Sequence, residues 1–281
     1  MPNQTFGRFG KFGRFGKFGI MRERLYRVDA IVLKRTDHGE ADRLLTLLTP
    51  DRGKLRAIAK GVRKPTSRKG GHVELFTHCA LMLAQGKTFD VVTQADTVDS
   101  FIDLRGNLDR VGYAYYIGEL VDRFAEEGTE SRTLFDLLLS TLKQLAEPAL
   151  NPDLLARFFE LRLLDLVGYR PQLFNCINCG NPVQPVENFF STEAGGVLDP
   201  DCKQVLPQLR DVQPISVNAL KVLRHLQSNE WTAVRSLRLT ADVTSEVEKL
   251  LQSYIVYHLE RNLKSVDFLR ELKARAYAAK K

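Results

Sequence analysis

Residues 25–98 alternate apolar and polar positions with the period of β-strands. In the first run, over 25–36, Val28, Ala30 and Val32 fall on one face. Turns rich in Gly, Asp and charged residues separate this run from four more, at 43–50, 54–62, 72–86 and 88–98. Five short antiparallel strands in so compact a segment are typical of a small barrel, and we predict an OB-fold domain over residues 23–102.

Beyond residue 102 the apolar residues recur every three or four positions, which is the period of an α-helix. The pattern predicts helices over 107–128, 131–147, 151–171, 216–227, 244–263 and 265–281. The third and fourth of these helices are separated by a loop-rich segment. We therefore predict an α+β chain whose all-helical domain has two parts, 103–171 and 213–281, interrupted by an insert over 172–212.

The first 22 residues have neither period and contain repeats of Phe, Gly and a basic residue, as in FGRFGKFGRFGKFGIM. Glycine at every third position opposes a packed core, so we predict a disordered basic tail over 1–22. Two interpretations stay open. The repeat is either a nucleic-acid-binding tail with stacking Phe side chains, or an extension upstream of a translation start at Met21.

The charge is unevenly distributed along the chain. The formal net charge is +7, and Lys and Arg outnumber Asp and Glu by 14 to 10 within residues 23–100, whereas acidic residues lead by 24 to 22 after residue 100. A polyanionic partner would therefore be bound mainly by the N-terminal part of the chain.

The densest group of cations begins on the third predicted strand and continues into the loop behind it. Alternation places the first two of them on the outer face of that strand. We predict that seven side chains bind DNA phosphates: Lys54, Arg56, Lys60, Arg63, Lys64, Arg68 and Lys69. The alternative is a solvated charged loop. No base-reading pattern accompanies the cations, so we expect little or no sequence specificity.

Three of the four cysteines lie in the insert, which we interpret as zinc-finger-like. Cys176 and Cys179 have C-x-x-C spacing, and Asp199 and Cys202 repeat that spacing with an aspartate in the first position. Zinc prefers four tetrahedral ligands and accepts carboxylate oxygen, so we predict one structural Zn²⁺ held by these four residues. Two alternatives stay open: Asp201 as the oxygen donor, or a metal-free loop held by hydrophobic packing.

No enzyme signature accompanies these sites. The five histidines are scattered, and the chain contains no GxSxG, HExxH or P-loop motif, so we predict no catalytic residues. No apolar run approaches the roughly 18–20 residues that span a bilayer. Four cysteines in a chain of 281 residues fit reduced thiols in the cytoplasm better than a disulfide scaffold.

Several motifs together resemble a known family. The run YRVDAIVLKRTDHGEADRLLTLLTPDRGKLRAIAKGVRKPTSR is similar to the N-terminal barrel of RecO, a family of bacterial recombination mediators. The CxxCG…GGxLxxxC insert and YHLERNLKSVDFL near the C-terminus match the same family. The resemblance runs in order from about residue 25 to residue 270, and residues 1–20 have no counterpart in it.

The resemblance implies an OB barrel on a helical domain with a zinc-finger-like insert. It implies a cytoplasmic, nucleoid-associated protein without enzymatic activity, which binds single- and double-stranded DNA and anneals complementary strands. The implied partners are RecR and single-strand binding protein, and RecA indirectly, through its loading onto DNA in the RecF pathway of repair. Many members carry a fourth cysteine where this chain has Asp199. The residues alone also admit a protein-interaction adaptor or an RNA-binding OB protein.

Overall fold

The computed structural model describes residues 25–206 and 208–278, so the predicted tail over 1–22 lies outside the described residues. Five strands form the N-terminal part: β1 Leu25–His38, β2 Asp42–Thr49, β3 Gly53–Ala59, β4 His78–Ala84 and β5 Asp90–Asp99. They close into a barrel in the order β1-β2-β3-β5-β4, because β4 also pairs with β1. The predicted OB-type five-stranded fold is confirmed.

The barrel interior is filled by one side of each strand, as the alternation predicts. Val28, Ala30 and Val32 are buried there. The same cluster holds Leu45, Leu47, Ala57, Ala59, Cys79, Leu81, Leu83 and Val92. These small and branched side chains fill a narrow barrel, so its centre is a packed core and any ligand must bind outside it.

The C-terminal part is helical. Its helices are α1 Ile102–Arg105, α2 Leu108–Phe124, α3 Arg132–Ala146, α4 Pro152–Leu166, α5 Pro200–Val205, α6 Val217–Ser228, α7 Trp231–Val234, α8 Ala241–Leu259 and α9 Lys264–Ala278. The insert between α4 and α6 adds β6 Asn188–Ser191, β7 Gly196–Leu198 and β8 Val212–Ile215, paired in the order β7-β6-β8. Within the described residues, no helix is long and apolar enough to cross a membrane.

Helix α4 lies at the centre of the helical part and buries two charged side chains. Arg157 and Glu160 are 2% and 0% exposed, and their Nη2 and Oε1 atoms lie 2.6 Å apart. The hydroxyl of Tyr116 on α2 donates to the same Oε1 at 2.6 Å. Burial raises the pKa of Glu160 to about 7, although Arg157 and the Tyr116 hydroxyl oppose that rise.

The C-terminal helix α9 packs against α2 through specific contacts. The carboxylate of Glu119 accepts hydrogen bonds from the backbone N–H groups of Lys264 and Ser265, at 3.2 and 2.8 Å, and so binds the start of the helix. A side chain at Gly112 would meet Leu272 at 2.6 Å, so glycine allows the two helices to approach closely.

The barrel and the helical part share apolar surface. Ile31, Leu33 and Leu48 point out of the barrel and belong to the core of the helical part. Phe76, in the segment between β3 and β4, packs against α2 where Gly118 leaves room for its ring. The outer side of the barrel is therefore divided between a face that packs on helices and a face that meets solvent.

Candidate nucleic-acid interface and metal centre

Three of the seven predicted phosphate-binding side chains are exposed to solvent on one folded loop. Lys60, Lys64 and Arg68 are exposed, and within the described chain none has a carboxylate within 4.0 Å. The loop is anchored at Val62, which is buried in the barrel core, and at Gly61, whose N–H donates to the Asp42 carboxylate at 2.7 Å. These three cations have the exposure that phosphate contact requires.

Two further loop cations are already engaged. The Nη2 atom of Arg63 lies 3.4 Å from Oδ2 of Asp37, in an exposed ion pair. The Nζ atom of Lys69 donates to the backbone carbonyl of Val92 on β5 at 2.9 Å. Lys69 therefore ties the loop to the barrel, and Arg63 offers only part of its charge to an incoming anion.

The two cations on β3 share the predicted outer face, but carboxylates of the helical part meet both. Nζ of Lys54 donates to the backbone carbonyl of Asp122 at 2.5 Å and lies 3.7 Å from its Oδ1. Nη2 of Arg56 lies 2.7 Å from Oε1 of Glu127. Lys54 is largely buried by this contact, whereas the Arg56 side chain remains 52% exposed.

The structure adds a cation that sequence reasoning missed. Strict alternation with Val32 would place Lys34 inside the barrel, but a β-bulge between these two residues turns Lys34 outward. Lys34 pairs with Thr46, and Thr46 pairs with Arg56, so both cations lie on one outer row about 10 Å apart across two strand spacings. No pattern in the sequence marks this bulge.

Half-buried apolar side chains form the adjacent outer row. Leu44 on β2 pairs with Ile58 on β3, which pairs with Val91 on β5. At the end of the barrel where β1 begins, the guanidinium of Arg52 lies 4.2 Å from the ring centre of Tyr26. Of the aromatic residues near the basic loop, Phe76 is buried. The solvent-facing side of the barrel therefore combines cations with apolar contact area.

The insert brings its four predicted ligands together. One ligand atom each from Cys176, Cys179, Asp199 and Cys202 lies within 4.8 Å of the other three. Around a zinc ion with Zn–S bonds of about 2.3 Å, tetrahedral sulfur atoms lie roughly 3.8 Å apart, so a small contraction would complete the site. The donor set fits a metal that accepts thiolate and carboxylate, and the alternative donor Asp201 is not in the group.

The two halves of this cluster are positioned by main-chain pairing. The N–H of Ile177 donates to the carbonyl of Val197 at 2.9 Å, and the N–H of Val197 donates to Gln172 at 2.9 Å. A side chain at Gly196 would lie 2.6 Å from both the Gln172 carbonyl and the Ile177 side chain. Glycine at this position therefore allows the C-x-x-C turn to rest directly on β7.

Asp199 has two functions within the cluster. Its Oδ1 accepts the backbone N–H of Cys202 at 2.6 Å, which caps the first turn of α5, and its Oδ2 accepts the thiol of Cys179 at 3.2 Å. The Cys202 amide lowers the pKa of Asp199 to about 2, and slight burial opposes this effect only in part. The residue is an anion at neutral pH, with one oxygen on the helix and one toward the thiols.

We expect Asp199→Asn to weaken Zn²⁺ binding at least about tenfold, because a neutral amide replaces a charged ligand while the cap survives. Asp199→Cys should instead strengthen Zn²⁺ binding but lower the stability of the metal-free protein by about 1 kcal/mol, because the capping oxygen is lost. Competition with a chromophoric chelator and thermal unfolding without metal measure the two effects separately. Unchanged Zn²⁺ affinity in Asp199→Asn would exclude the carboxylate as a ligand.

A groove of 970 Å³ lies where the ends of α2, α4 and α8 meet the start of α3. Its apolar lining includes Leu166 and Tyr169, which are 45% and 40% exposed. Tyr169 stacks on His258 with ring centres 4.1 Å apart, and burial lowers the pKa of His258. Arg123 and Arg132 also line the groove, together with two glutamates of the loop between α2 and α3.

Comparison with protein families gives two matches that cover most of the chain. The model described as "Recombination protein O N terminal" matches residues 21–101, which include the whole barrel. The model described as "Recombination protein O C terminal" matches residues 105–267, which include the insert and the helices from α2 to the start of α9.

Curated relatives agree with the family models. A protein named DNA repair protein RecO from Roseiflexus sp. (strain RS-1) is 46% identical over 90% of this chain and 88% of its own length. Proteins of the same name from Dehalococcoides mccartyi and Desulforudis audaxviator are 38% and 40% identical, each over 88% of this chain and over 96% and 97% of their own lengths. Together with the barrel, the helical part and the Cys–Asp cluster, these matches confirm the resemblance: the chain belongs to the RecO family of DNA repair proteins.

Proposed function

We propose that this protein is a non-enzymatic mediator of DNA repair and recombination, which binds single- and double-stranded DNA and anneals complementary strands. The observation that carries the proposal is the set of cations at Lys60, Lys64 and Arg68, on a loop anchored to the barrel, which have no carboxylate partner among the described residues. Phosphate contacts of this kind release condensed counterions and require no particular base sequence. Lys34 and Arg56 extend the same cationic surface onto the outer barrel face.

Annealing follows from the same electrostatics. Two complementary strands repel each other through their phosphates, and a cationic surface that neutralises part of that charge lowers the barrier to their encounter. The half-buried row of Leu44, Ile58 and Val91 offers contact area to unpaired bases without reading them. The chemistry of the surface therefore supports strand binding and pairing, and no bond-breaking step is needed.

Binding to a labelled single-stranded oligonucleotide should weaken linearly on a log–log scale as salt increases. The three loop cations alone predict a slope of about −2, since each contact contributes about −0.7 for a single strand. Fluorescence anisotropy over a salt series measures the slope, and a strand-pairing assay measures annealing. Salt-independent binding would contradict the proposal, and preferential competition by RNA of the same sequence would favour an RNA-binding protein.

We further propose that the metal is a single structural Zn²⁺. The three thiols of Cys176, Cys179 and Cys202 match the preference of zinc for sulfur ligands, and Asp199 would be the fourth ligand. When bound, the ion would cross-link the C-x-x-C turn to the start of α5. The residues of the insert would then be fixed relative to one another without contributing to DNA contact.

The partners implied by the family resemblance are RecR, single-strand binding protein and, through loading onto DNA, RecA, at the nucleoid in the cytoplasm. The groove beside Tyr169 supports one of these contacts, because it places an apolar floor beside Arg123 and Arg132. These two side chains would exchange their ion pairs with Glu119 and Asp51 for carboxylates of a tail. The first turn of α3 also lines it, contains no acidic residue and has no side-chain cap at Ser131. An acidic tail with apolar side chains, as in single-strand binding protein, is the occupant that we propose.

A further inference from the structure

A loop of the helical part covers one end of the cationic barrel face. We define the acidic loop as residues 125–131, which connect α2 to α3 and contain three glutamates and no Lys or Arg. The strand that the acidic loop covers is β3, and the opposite edge of β3 pairs with β2 over its whole length. β5 joins β3 only at Ala57 and Ile58, so the edge of β3 near Gly53 is left for the acidic loop.

The acidic loop binds this edge as a short extra strand would. The N–H of Lys54 donates to the carbonyl of Glu126 at 3.1 Å, and the N–H of Gly128 donates to the carbonyl of Lys54 at 3.2 Å. Glu127 forms bridges with both Gly53 and Lys54. Backbone hydrogen bonds on both sides of Glu127 therefore hold its side chain over the outer face of β3.

The close approach depends on Gly53. Its φ of 55° lies in the left-handed region, and a side chain there would lie 2.0 Å from the carbonyl oxygen of Thr129. A further hydrogen bond joins the N–H of Ser131 to the carbonyl of Pro50 at 3.1 Å. The position of the acidic loop is thus determined by main-chain contacts, and the charge of Glu127 is not needed to hold it.

The side chain of Glu127 occupies the position where a phosphate would meet Arg56. Its Oε1 lies 2.7 Å from Nη2 of Arg56, and both side chains remain about half exposed, at 53% and 52%. Exposed ion pairs of this kind contribute little to stability, because water screens their attraction. A phosphate can therefore take the place of the carboxylate, because a guanidinium forms charge-assisted hydrogen bonds with either group.

We propose that the acidic loop is an autoinhibitory element of the DNA-binding surface, in which the Glu127 carboxylate competes with DNA phosphate for Arg56. This inference rests on the proposed DNA-binding function. In the free protein Arg56 is neutralised. When DNA binds along the outer row that also holds Lys34, a phosphate replaces the carboxylate, and part of the binding free energy is spent on that exchange.

The test is Glu127→Gln, which keeps the size of the side chain and removes its charge. We expect two- to fivefold tighter binding of a single-stranded oligonucleotide with a salt slope that changes by less than one phosphate contact, because a phosphate contacts Arg56 in both proteins once DNA is bound. Anisotropy titrations over a salt series give both values. Binding equal to or weaker than that of the unmodified protein would overturn the inference.

Two further variants separate competition from a general effect of charge. Glu130→Gln removes one charge from the same loop, and within the described chain Glu130 has no cation within 4.0 Å. It should change affinity less than Glu127→Gln does. In an Arg56→Gln background, Glu127→Gln should increase DNA affinity no more than Glu130→Gln does. If Glu127→Gln increased the affinity there as much as it does when Arg56 is present, Glu127 would not act through Arg56.

DNA binding by the unmodified protein distinguishes a failure of this inference from a failure of the proposed DNA-binding function. If it binds DNA with the expected salt dependence and Glu127→Gln binds identically, the autoinhibitory contact is wrong and the DNA-binding function stands. If neither protein binds DNA, both proposals are overturned. Since Glu127 is half exposed and the loop is held by its backbone, the variant should fold, and a thermal unfolding curve verifies this.

Discussion

Arg157→Met is expected to lower the free energy of unfolding by about 3–5 kcal/mol at pH 8, because it leaves the buried carboxylate of Glu160 without its counter-ion. Glu160 is fully buried on α4 and, among the contacts of the described chain, would retain only the hydrogen bond from Tyr116. Methionine fills a similar volume, so little of the loss would come from a cavity. Chemical denaturation at a fixed pH measures the effect.

The loss should depend on pH in a defined direction. The folded-state pKa of Glu160, about 7, exceeds the value of an exposed glutamate, so the folded protein binds more protons and its stability falls as pH rises from about 4.5 through 7. Without Arg157 the folded-state pKa rises further. The variant should therefore lose more stability at pH 8 than at pH 5.5. The additional loss is up to about 1.4 kcal/mol for each pH unit between the folded-state pKa of Glu160 in the unmodified protein and its pKa in the variant.

The double variant Arg157→Met with Glu160→Gln is the matched control. It removes both buried charges while the Gln side chain can still accept the hydrogen bond of Tyr116. We expect it to recover most of the lost stability and to lose the additional pH dependence, because no unpaired buried charge remains. A double variant as unstable as Arg157→Met, at every pH, would mean that packing and not charge accounts for the loss.

Reversing the charge of Lys60, Lys64 and Arg68 together should weaken single-stranded DNA binding on the order of 10²-fold near physiological salt. Each of the three loses a phosphate contact and gains a repulsive carboxylate, so the salt slope should become shallower by about 2. The change leaves the fold intact, since all three side chains are exposed and make no ion pair within the described chain. Anisotropy and strand-pairing rates measure the two consequences.

A matched triple variant on the helical part tests whether DNA binding depends on the location of the three cations or on the total charge of the protein. Lys143, Lys221 and Lys249 are exposed and also lack a carboxylate within 4.0 Å among the described residues. Their reversal changes the net charge by the same amount and should weaken binding only slightly. Equal losses in the two triples would show that the barrel loop is not the binding surface.

The alternation of apolar and polar residues predicted the barrel strands because the buried face of a strand can be inferred from neighbouring positions along the chain. Val28, Ala30 and Val32 face inward as expected, since strand period and burial agree over most of each strand. The bulge before Lys34 could not be predicted, because it depends on how β1 pairs with β2. A single extra residue is enough to reverse the orientation that strict alternation would give Lys34.

The clustering of Cys176, Cys179, Asp199 and Cys202 was predicted correctly because the C-x-x-C and D-x-x-C spacings are themselves the signal. The additional function of Asp199 as the cap of α5 needed the structure, since it depends on where the helix begins. The buried pair of Arg157 and Glu160 was not predicted. Two of the five charged residues of α4, three positions apart, do not reveal that Tyr116 of another helix completes the site.

The contact between β3 and the acidic loop has a consequence for dissection of the chain. The two family models meet between residues 101 and 105, which suggests a natural point of division. A fragment ending there would expose the unpaired edge of β3 together with the apolar side chains of Ile31, Leu33 and Leu48. Open edges and apolar patches promote self-association. We therefore expect the evolutionary unit and the unit that folds alone to differ, and a graft of this barrel onto another protein to need residues 125–131 as well.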